Sequence, residues 1–344
     1  MDKYPQKEKI RVTVKVSGTK IIAIAIVFGL WIGSLVLVWL FASGNIGKDS
    51  PLAAARLYPY INPRLRNMTQ EERGSKAFST LIPLRDKLMK YLGNNDKYVA
   101  YYIEDLNTGA WSGYREKENF IPASLLKIPI AIGTMKKIDK DEWNMDTKLK
   151  IEPKYKDKNF GELWKKEDNA ETTVDELIRY MLQESDNTAT NILFGNISAE
   201  ERDNVYYHIG ITNPEAEGEQ TPNHLLFTDL TPRNLATFFR SLYNATYLTR
   251  KSSNYLLDTL TQTKFDENTA YSVPNDVKVA HKMAAFYDKS LAAEKNYHDC
   301  GITFLPDHPY LYCYLTKDLE PQDAQKLIYD MGEIVFKHFL DEGK

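Results

Sequence analysis

The sequence predicts an α/β domain of the α+β type, in which strands from both ends of the domain form one antiparallel sheet and a helical region is inserted between them. Segments rich in aromatic and β-branched residues lie at 98–114 and again at 277–315, and the chain between them is mostly helical in character. An uncharged apolar run precedes the domain and predicts one transmembrane helix.

The N-terminus combines a basic head with that apolar run. Residues 1–20 hold six basic and two acidic side chains, a net charge of +4, and the run IIAIAIVFGLWIGSLVLVWLFA that follows has no charge over 22 residues. A helix of this length spans roughly 30 Å, the hydrocarbon thickness of a bilayer. Because basic residues stay on the cytoplasmic side, we expect a cytoplasmic head at 1–20 and a signal-anchor helix at 21–43. The protein would then be a single-pass protein of the cell membrane, with the rest of the chain extracytoplasmic.

A cleaved signal peptide is the alternative, because Ala42-Ser43-Gly44 offers small residues for cleavage. Against it, the apolar run exceeds the usual length of about 7–15 residues for such a segment. Residues 44–76 contain three X-Pro pairs and no sustained apolar period, which is typical of a linker. Residues 77–344 are then the folded domain.

The elements of this domain are predicted in a fixed order. A helix at 78–92 comes first, followed by a hairpin with strands at 98–105 and 110–114 and a turn at Asn107-Thr108-Gly109. An apolar helix begins at Ser124, and helices dominate to about residue 264. The remaining predicted elements are strands at 277–285, 301–305 and 310–315 and an amphipathic helix at 321–340.

Composition narrows the classes of function. The formal net charge of −3 argues against a nucleic-acid partner. No clustered Cys or His spacing indicates a metal site, so we expect neither metal nor other cofactor. The two cysteines, Cys300 and Cys313, lie on consecutive predicted strands, where a disulfide and a pair of free thiols are both open alternatives.

The motif Ser124-Leu125-Leu126-Lys127 is the first candidate for chemistry. A helix start at Ser124 offers free backbone N–H groups and the positive end of the helix dipole, which favour developing negative charge. Lys127 lies on the same helix face and reaches the Ser124 hydroxyl. A lysine is a useful base near neutral pH only if burial and a second cation lower its pKa. The alternative is an N-cap serine beside a solvated lysine.

The motif Ser185-Asp186-Asn187 follows a predicted amphipathic helix at 173–184. A loop at this position would aim the Ser185 hydroxyl and the Asn187 amide into a cleft. The alternative is an ordinary capping turn, because serine, aspartate and asparagine all cap helices well.

A lysine on a predicted strand is the third candidate. Alternation along the strand at 277–285 places Ala280, Lys282 and Ala284 on one face. Lys282 would supply the second cation and bind a substrate carboxylate. The alternative is an edge-strand lysine that discourages aggregation.

Together these motifs resemble the class A β-lactamases and the penicillin-binding-protein-like serine hydrolases related to them. The resemblance covers residues 77–342 and rests on SLLK at 124–127, ESDNTATN at 184–191, LTPRNLA at 230–236, Lys282 and HDCGI at 298–302. It implies a β-lactamase/transpeptidase-like fold, in which a helical domain packs on a five-stranded antiparallel sheet. The active site would lie in the groove between them.

The resemblance also implies a role for each site residue. Ser124 is the nucleophile, and Lys127 accepts its proton directly or through a relay. Ser185 passes a proton to the leaving nitrogen. Asn187 binds the side-chain amide of the substrate, and Lys282 attracts its carboxylate.

The strand that carries Lys282 both fits and departs from the family pattern. The backbone N–H groups of Ser124 and Ala285 would form the oxyanion hole, typically worth roughly 2.7–4 kcal/mol per donor. Where the family has K-T-G or K-S-G, however, this chain has Lys282-Met283-Ala284. The hydroxyl that binds the carboxylate is therefore missing at Met283, and the Ala284 methyl group is expected to narrow the cleft.

A second departure concerns release of the acyl group. Hydrolytic class A enzymes carry an E-x-x-L-N loop whose glutamate activates water, and residues 213–220 (NPEAEGEQ) contain no such motif. Glu215 is the nearest candidate by its spacing to Pro232. The alternative is a solvated acid in a surface loop.

Three functions follow from these features. The first is a β-lactamase-like hydrolase that opens β-lactam amides through a Ser124 acyl-enzyme. The second is a penicillin-binding D-alanyl-D-alanine peptidase that acts on peptidoglycan. The third is a non-catalytic binding module on the same fold. In each case we expect a monomer whose partner is a β-lactam or a D-alanyl peptide.

Overall fold

The computed structural model describes residues 77–211, 229–265, 272–286 and 295–342. The predicted cytoplasmic head at 1–20, the signal-anchor helix at 21–43, the linker at 44–76 and Glu215 all lie outside these ranges. Within them, no helix combines the length and the apolar character needed to cross a bilayer.

The centre of the described domain is a five-stranded antiparallel sheet. The described strands are β1 Val99–Asp105, β2 Trp111–Tyr114, β3 Lys148–Lys150, β4 Glu171–Thr173, β5 Val279–Phe286, β6 Asn296–Thr303 and β7 Tyr310–Lys317. The order in the large sheet is β2-β1-β7-β6-β5, so strands from the two ends of the domain pair as predicted. The pairing of β1 with β7 joins the N-terminal hairpin to the C-terminal strands.

Strand β6 begins earlier than predicted. The expected strand at 301–305 is wrong at its start, because the strand already begins at Asn296. Polar side chains interrupt the apolar pattern that is typical of a strand, although they are buried: Asn296, His298 and Asp299. His298 Nε2 lies 3.0 Å from the Ile121 carbonyl oxygen, and its Nδ1 accepts the Thr316 N–H at 3.2 Å. Polar residues thus occupy a central strand because the fold supplies their partners.

Helices cover both faces of the sheet. The described helices are α1 Ala77–Leu92, α2 Lys127–Asp139, α3 Val174–Gln183, α4 Asn187–Gly195, α5 Ala199–Ile209, α6 Pro232–Asn244, α7 Arg250–Leu260 and α8 Pro321–Glu342. On one face, Leu84 and Leu88 of α1 and Ile328 and Met331 of α8 pack with buried tyrosines of β1 and β7. Helices α2 to α7 form a second apolar core with the other face. This is the inserted helical region that the sequence predicts.

Local sequence signals fix several helix starts in the inserted region. Capping boxes open α3 at Thr173 and Glu176 and α5 at Ser198 and Glu201. The same region contains the short antiparallel pair β3 and β4, which the prediction of a helical middle omits. Each of these strands is only three residues long, which is too short for an alternating pattern to be recognised.

A disulfide joins Cys300 of β6 to Cys313 of β7. The two residues are direct neighbours across the strand pair, with a Cα–Cα distance of 4.1 Å. Both belong to the core that faces the helical region. The sequence left a disulfide and a pair of free thiols open, and the structure contains the disulfide.

Candidate active site

The candidate nucleophile lies on a single tight turn before α2. Ser124 belongs to the 3₁₀ turn Ala123–Leu126, which continues directly into the α-helix at Lys127. The α-helix thus begins three residues later than predicted, and Ser124 lies in the turn that leads into it. Ala123 has a φ of +46°, in the left-handed region that costs energy for a residue other than glycine.

Lys127 is the centre of the hydrogen-bond network. Its side chain is 4% exposed, and its Nζ lies 3.2 Å from Ser124 Oγ, 2.9 Å from Ser185 Oγ and 3.0 Å from Asn187 Oδ1. The Ser185 carbonyl oxygen lies 2.6 Å from the same nitrogen. The structure therefore brings together SLLK and SDN, two motifs that are about 60 residues apart in sequence. The alternative of a solvated helix lysine is wrong.

Ser185 links the nucleophile to the second cation. Its hydroxyl donates to Ser124 Oγ at 3.1 Å and accepts from Lys282 Nζ at 3.0 Å. Its φ of +56° is a strained backbone conformation that turns the hydroxyl into the cleft at the end of α3. Ser185 is thus placed to pass a proton, as the resemblance implies.

Asp186 anchors the loop that carries Ser185. Its fully buried carboxylate accepts backbone N–H groups from Ala189 at 2.8 Å, Glu162 at 2.7 Å and Leu163 at 2.9 Å. Gly161 has a φ of +91°, and a Cβ there would lie 2.1 Å from Asp186 Oδ2. Asp186 is the N-cap of α4, so the capping turn that the sequence offers as an alternative is present, together with the contacts of Ser185 and Asn187 to Lys127.

Lys282 enters the site from the sheet. It lies on β5, an edge strand in the sheet order, yet it is only 1% exposed. The alternative of a protective edge lysine is therefore wrong. Its Nζ contacts Ser185 Oγ at 3.0 Å and the Met283 carbonyl oxygen at 3.3 Å. Ala280 and Ala284 share its face of the strand and belong to the core on the helical side, as alternation predicts.

Two buried lysines that share one serine hydroxyl set the electrostatics of the cleft. Burial lowers the pKa of Lys127 to about 8, and the carboxylates of Asp186 and Asp157 oppose part of that shift. Burial also lowers the pKa of Lys282 well below its ordinary value, the Lys127 cation lowers it further, and Asp299 opposes both. In its neutral form Lys127 can accept a proton from Ser124, and in its protonated form Lys282 can attract an anion.

The remaining predicted residues fall on or beside β5. The Tyr297 hydroxyl lies 3.0 Å from Met283 Sδ, which packs towards the core on the opposite side of the sheet. Ala284 is 1% exposed on the helical side, and Ala285 is exposed near the end of the strand. The Met283 side chain thus gives the cleft no hydroxyl, and Ala285 is open to an approaching ligand.

An aromatic pair beside the lysines was not predicted. The rings of Phe160 and Phe265 have centroids 5.7 Å apart, and Lys282 Nζ lies 5.9 Å from the Phe265 centroid. The Phe160 carbonyl oxygen accepts the Asn187 N–H at 3.1 Å, which ties this ring to the SDN motif. The two residues come from irregular segments that are 105 positions apart, so no local pattern could pair them.

Comparison with known proteins assigns the family. The sequence model of the beta-lactamase enzyme family, Beta-lactamase2, matches residues 83–339, which is most of the chain. The chain belongs to the beta-lactamase enzyme family. It is thus a β-lactamase-like serine hydrolase, and the resemblance inferred from its motifs is confirmed.

Individual members of the family are distant relatives. Beta-lactamase VEB-1 of Pseudomonas aeruginosa is 23% identical over 239 residues, covering 65% of this chain and 79% of VEB-1. The TLA-1 extended spectrum beta-lactamase is 20% identical with a TM-score of 0.66, over 76% of this chain and 99% of TLA-1. PBP-A is 21% identical with a TM-score of 0.64, over 76% of this chain and 97% of PBP-A. A variant of PBP-A has been solved as an acyl-enzyme complex with penicillin G. At these identities the solved structures establish the shared fold.

Proposed function

We propose that this member of the beta-lactamase family opens β-lactam amides through an acyl-enzyme on Ser124. The observation that carries the proposal is the buried Lys127 Nζ, 3.2 Å from Ser124 Oγ and with its pKa lowered to about 8. A lysine with this pKa is partly neutral near neutral pH, so it can accept the proton of the serine hydroxyl. Among the described serines, only Ser185, in the same network, also has its hydroxyl within hydrogen-bond distance of Lys127 Nζ.

The proposed acylation gives each polar group of the site a role. Ser124 Oγ bonds to the carbonyl carbon of the β-lactam, and its proton moves to Lys127. The carbon–nitrogen bond of the ring then breaks, and Ser185 delivers a proton to the nitrogen while Lys127 replenishes the Ser185 hydroxyl. Lys282 attracts the carboxylate and Asn187 binds the side-chain amide. The backbone N–H groups of Ser124 and Ala285 stabilise the oxyanion.

A D-alanyl-D-alanine peptidase is the second candidate function. Residues 213–220 have no E-x-x-L-N motif, and Met283 and Ala284 replace the usual hydroxyl residue and glycine. The first departure favours an enzyme that is acylated and only slowly released, whereas the second restricts substrate entry and favours a non-catalytic binding module. Likeness to PBP-A, a variant of which has been solved as a penicillin G acyl-enzyme, is consistent with this candidate.

We also propose that the domain is anchored on the extracytoplasmic side of a cell membrane through residues 21–43, with residues 1–20 in the cytoplasm. The sequence supports this through its basic head and apolar run. The Cys300–Cys313 disulfide supports an oxidising compartment.

Intact-protein mass measured over time after addition of penicillin G tests the acylation. A transient adduct with accumulating product supports the hydrolase, and a long-lived adduct supports the peptidase. Ser124→Ala is expected to abolish the adduct, with Ser112→Ala, a buried serine of β2, as the matched control that keeps it. An adduct that persists in Ser124→Ala contradicts the assignment of the nucleophile. No adduct with several β-lactams favours the binding module.

A further inference from the structure

Two of the sequence motifs have no role in the proposed acylation, yet both contact the chain that leads into the nucleophile turn Ala123–Leu126. Phe120 and Leu230, the first residue of LTPRNLA, exchange backbone hydrogen bonds of 3.1 and 2.9 Å. On the other side, the ring of His298, the first residue of HDCGI, lies 3.0 Å from the Ile121 carbonyl oxygen. The chain before the nucleophile turn is thus fixed from two sides, once by backbone and once by a side chain.

The two hydrogen bonds of His298 fix one tautomer of its ring. The side chain is fully buried on β6. Its Nδ1 lies 3.2 Å from the Thr316 backbone nitrogen, whose N–H can only donate, so Nδ1 carries no hydrogen. Its Nε2 faces the Ile121 carbonyl, which can only accept, so Nε2 carries the hydrogen. Burial lowers the pKa of His298 to about 4, so the ring is neutral over the range in which Lys127 titrates.

The Ile121 carbonyl depends on this donor. Among the described residues, only His298 donates a hydrogen bond to it. A partly buried carbonyl that loses its donor must turn towards another donor or towards water. Ile121 is three residues before Ser124, and between them Ala123 has a φ of +46°, a strained conformation that persists only where its surroundings hold it. A change at Ile121 would therefore reach the strained residue directly.

The strained turn sets the direction of the Ser124 backbone. The peptide group between Ala123 and Ser124 carries the N–H that the proposed acylation places in the oxyanion hole. Ser124 Oγ must also stay within reach of Lys127 Nζ, from which it lies 3.2 Å away. A displacement of about 1 Å at such a site can lower a rate about a hundredfold. The geometry of acylation thus depends on what holds the chain before Ala123.

We propose that His298 is a positioning residue, whose Nε2–H holds the Ile121 carbonyl and thereby keeps the nucleophile turn in its reactive geometry. Its hydrogen bonds go to the backbone of Ile121 and Thr316 and to no group of the active site, so it acts through the turn. Its loss should therefore lower the rate constant of acylation and leave the initial binding of substrate unchanged. The effect on acylation rests on the proposed function, whereas the hydrogen bond to Ile121 does not.

Two substitutions separate the two ring nitrogens. Glutamine places its amide near the position of Nε2 and can donate to Ile121, whereas asparagine reaches only the position of Nδ1 and can accept from Thr316. His298→Asn is expected to lower the acylation rate constant with penicillin G by roughly tenfold to a hundredfold, and His298→Gln is expected to retain most of it. Stopped-flow measurement at several penicillin G concentrations separates this constant from the dissociation constant of the initial complex, which should be unchanged. Equal rate constants in the two variants, whether both are lowered or both unchanged, overturn the proposal.

Thr316→Val is the matched control. It removes a hydroxyl that donates to the Tyr297 carbonyl at 2.8 Å, and it keeps the backbone N–H that bonds to His298. The free energy of unfolding is expected to fall, because a buried hydrogen bond between β6 and β7 is lost, while the acylation rate constant stays within about twofold. A loss as large as that of His298→Asn overturns the proposal, because a general weakening of the two strands would then explain both variants.

Hydrogen exchange without substrate separates the proposal from the proposed function. Mass spectrometry of the full-length chain is expected to show faster amide exchange at residues 123–126 in His298→Asn than in His298→Gln. Equal exchange in the two variants overturns the proposal. Because no β-lactam is present, this result is independent of whether penicillin G forms an adduct on Ser124.

A measurement on the unmodified chain covers the case in which the variants do not fold. Long-range ¹H–¹⁵N NMR spectra of the full-length chain, labelled with ¹⁵N-histidine, report which ring nitrogen holds the hydrogen. The His298 signal is assigned through its contact with the Phe120 ring, whose centroid lies 5.8 Å from that of His298. The neutral Nε2–H form is expected from about pH 6 to pH 9. The Nδ1–H form or a doubly protonated ring overturns the proposal, because Ile121 would then lack the donor assigned to it.

Discussion

Lys127 shows how the fold converts an ordinary residue into a base. In water a lysine amine is almost entirely protonated at neutral pH. A pKa of about 8 raises the neutral fraction near neutral pH by about 300-fold compared with the ordinary value of 10.5. Desolvation causes this change, and the four oxygens around Nζ keep the amine in place beside Ser124. The same burial makes the site sensitive to pH.

The acylation rate is therefore expected to fall in acid. As the pH drops through about 8, Lys127 gains a proton and can no longer accept that of Ser124. The rate constant for adduct formation should decline by about tenfold per pH unit below this point. Stopped-flow acylation by penicillin G from about pH 5 to pH 9 measures the profile. A rate that stays flat from pH 5 to pH 8 in protein that remains folded contradicts Lys127 as the base.

At the scale of elements, the buried carboxylate of Asp186 anchors the loop between α3 and α4 through hydrogen bonds. Three backbone N–H groups converge on this carboxylate, two of them from the segment that follows Gly161. The strained Ser185 persists because this anchor and the start of α4 fix the residues on both sides of it. Catalytic geometry at Ser185 thus depends on a glycine that is 24 positions away.

Gly161→Ala should break this support. The added Cβ would lie 2.1 Å from Asp186 Oδ2, so either the segment or the carboxylate must move. We expect a loss of about 2–4 kcal/mol in the free energy of unfolding and a large loss of acylation. Gly210→Ala is the control, because Gly210 has a similar φ of +82° with no atom near its Cβ position. Urea denaturation and adduct formation measure both effects, and equal losses in the two variants would show that the Asp186 contact is unimportant.

Strand β5 gives the second prediction at this scale. Ala284 takes the position of the family's glycine and is buried on the helical side. Ala284→Gly should widen the cleft and accelerate acylation several-fold, at a cost of about 1 kcal/mol in stability because glycine weakens a strand. Ala280→Gly, on the same face two residues before Lys282, should have the same cost without the gain. If acylation in Ala284→Gly is no faster than in Ala280→Gly, the methyl group does not limit entry.

At the scale of the whole molecule, the sequence predicts those elements and site residues that depend on the order of nearby residues along the chain. The hairpin at Asn107-Thr108-Gly109, the apolar helix after Ser124 and the alternation around Lys282 are all of this kind, and the structure has them. The structure also brings the SLLK motif, the SDN motif and Lys282 together in one site. The Phe160–Phe265 contact could not be predicted, because it joins residues that only the tertiary fold makes neighbours. Strand β6 was placed too late because buried polar residues resemble exposed ones in sequence.

The membrane anchor is the remaining prediction at this scale. The apolar run of 22 residues is long enough to cross a bilayer, and six basic residues precede it. The full-length chain expressed in a bacterium should therefore stay in the membrane pellet after alkaline carbonate washing. Protease added outside spheroplasts should digest the domain, and N-terminal sequencing should recover the basic head. Leu30→Lys combined with Leu35→Lys should release the chain from the pellet, because each lysine at the centre of a span costs about 2.5–3.5 kcal/mol. A mature chain that begins near Gly44 would instead establish cleavage of a signal peptide and contradict the anchor.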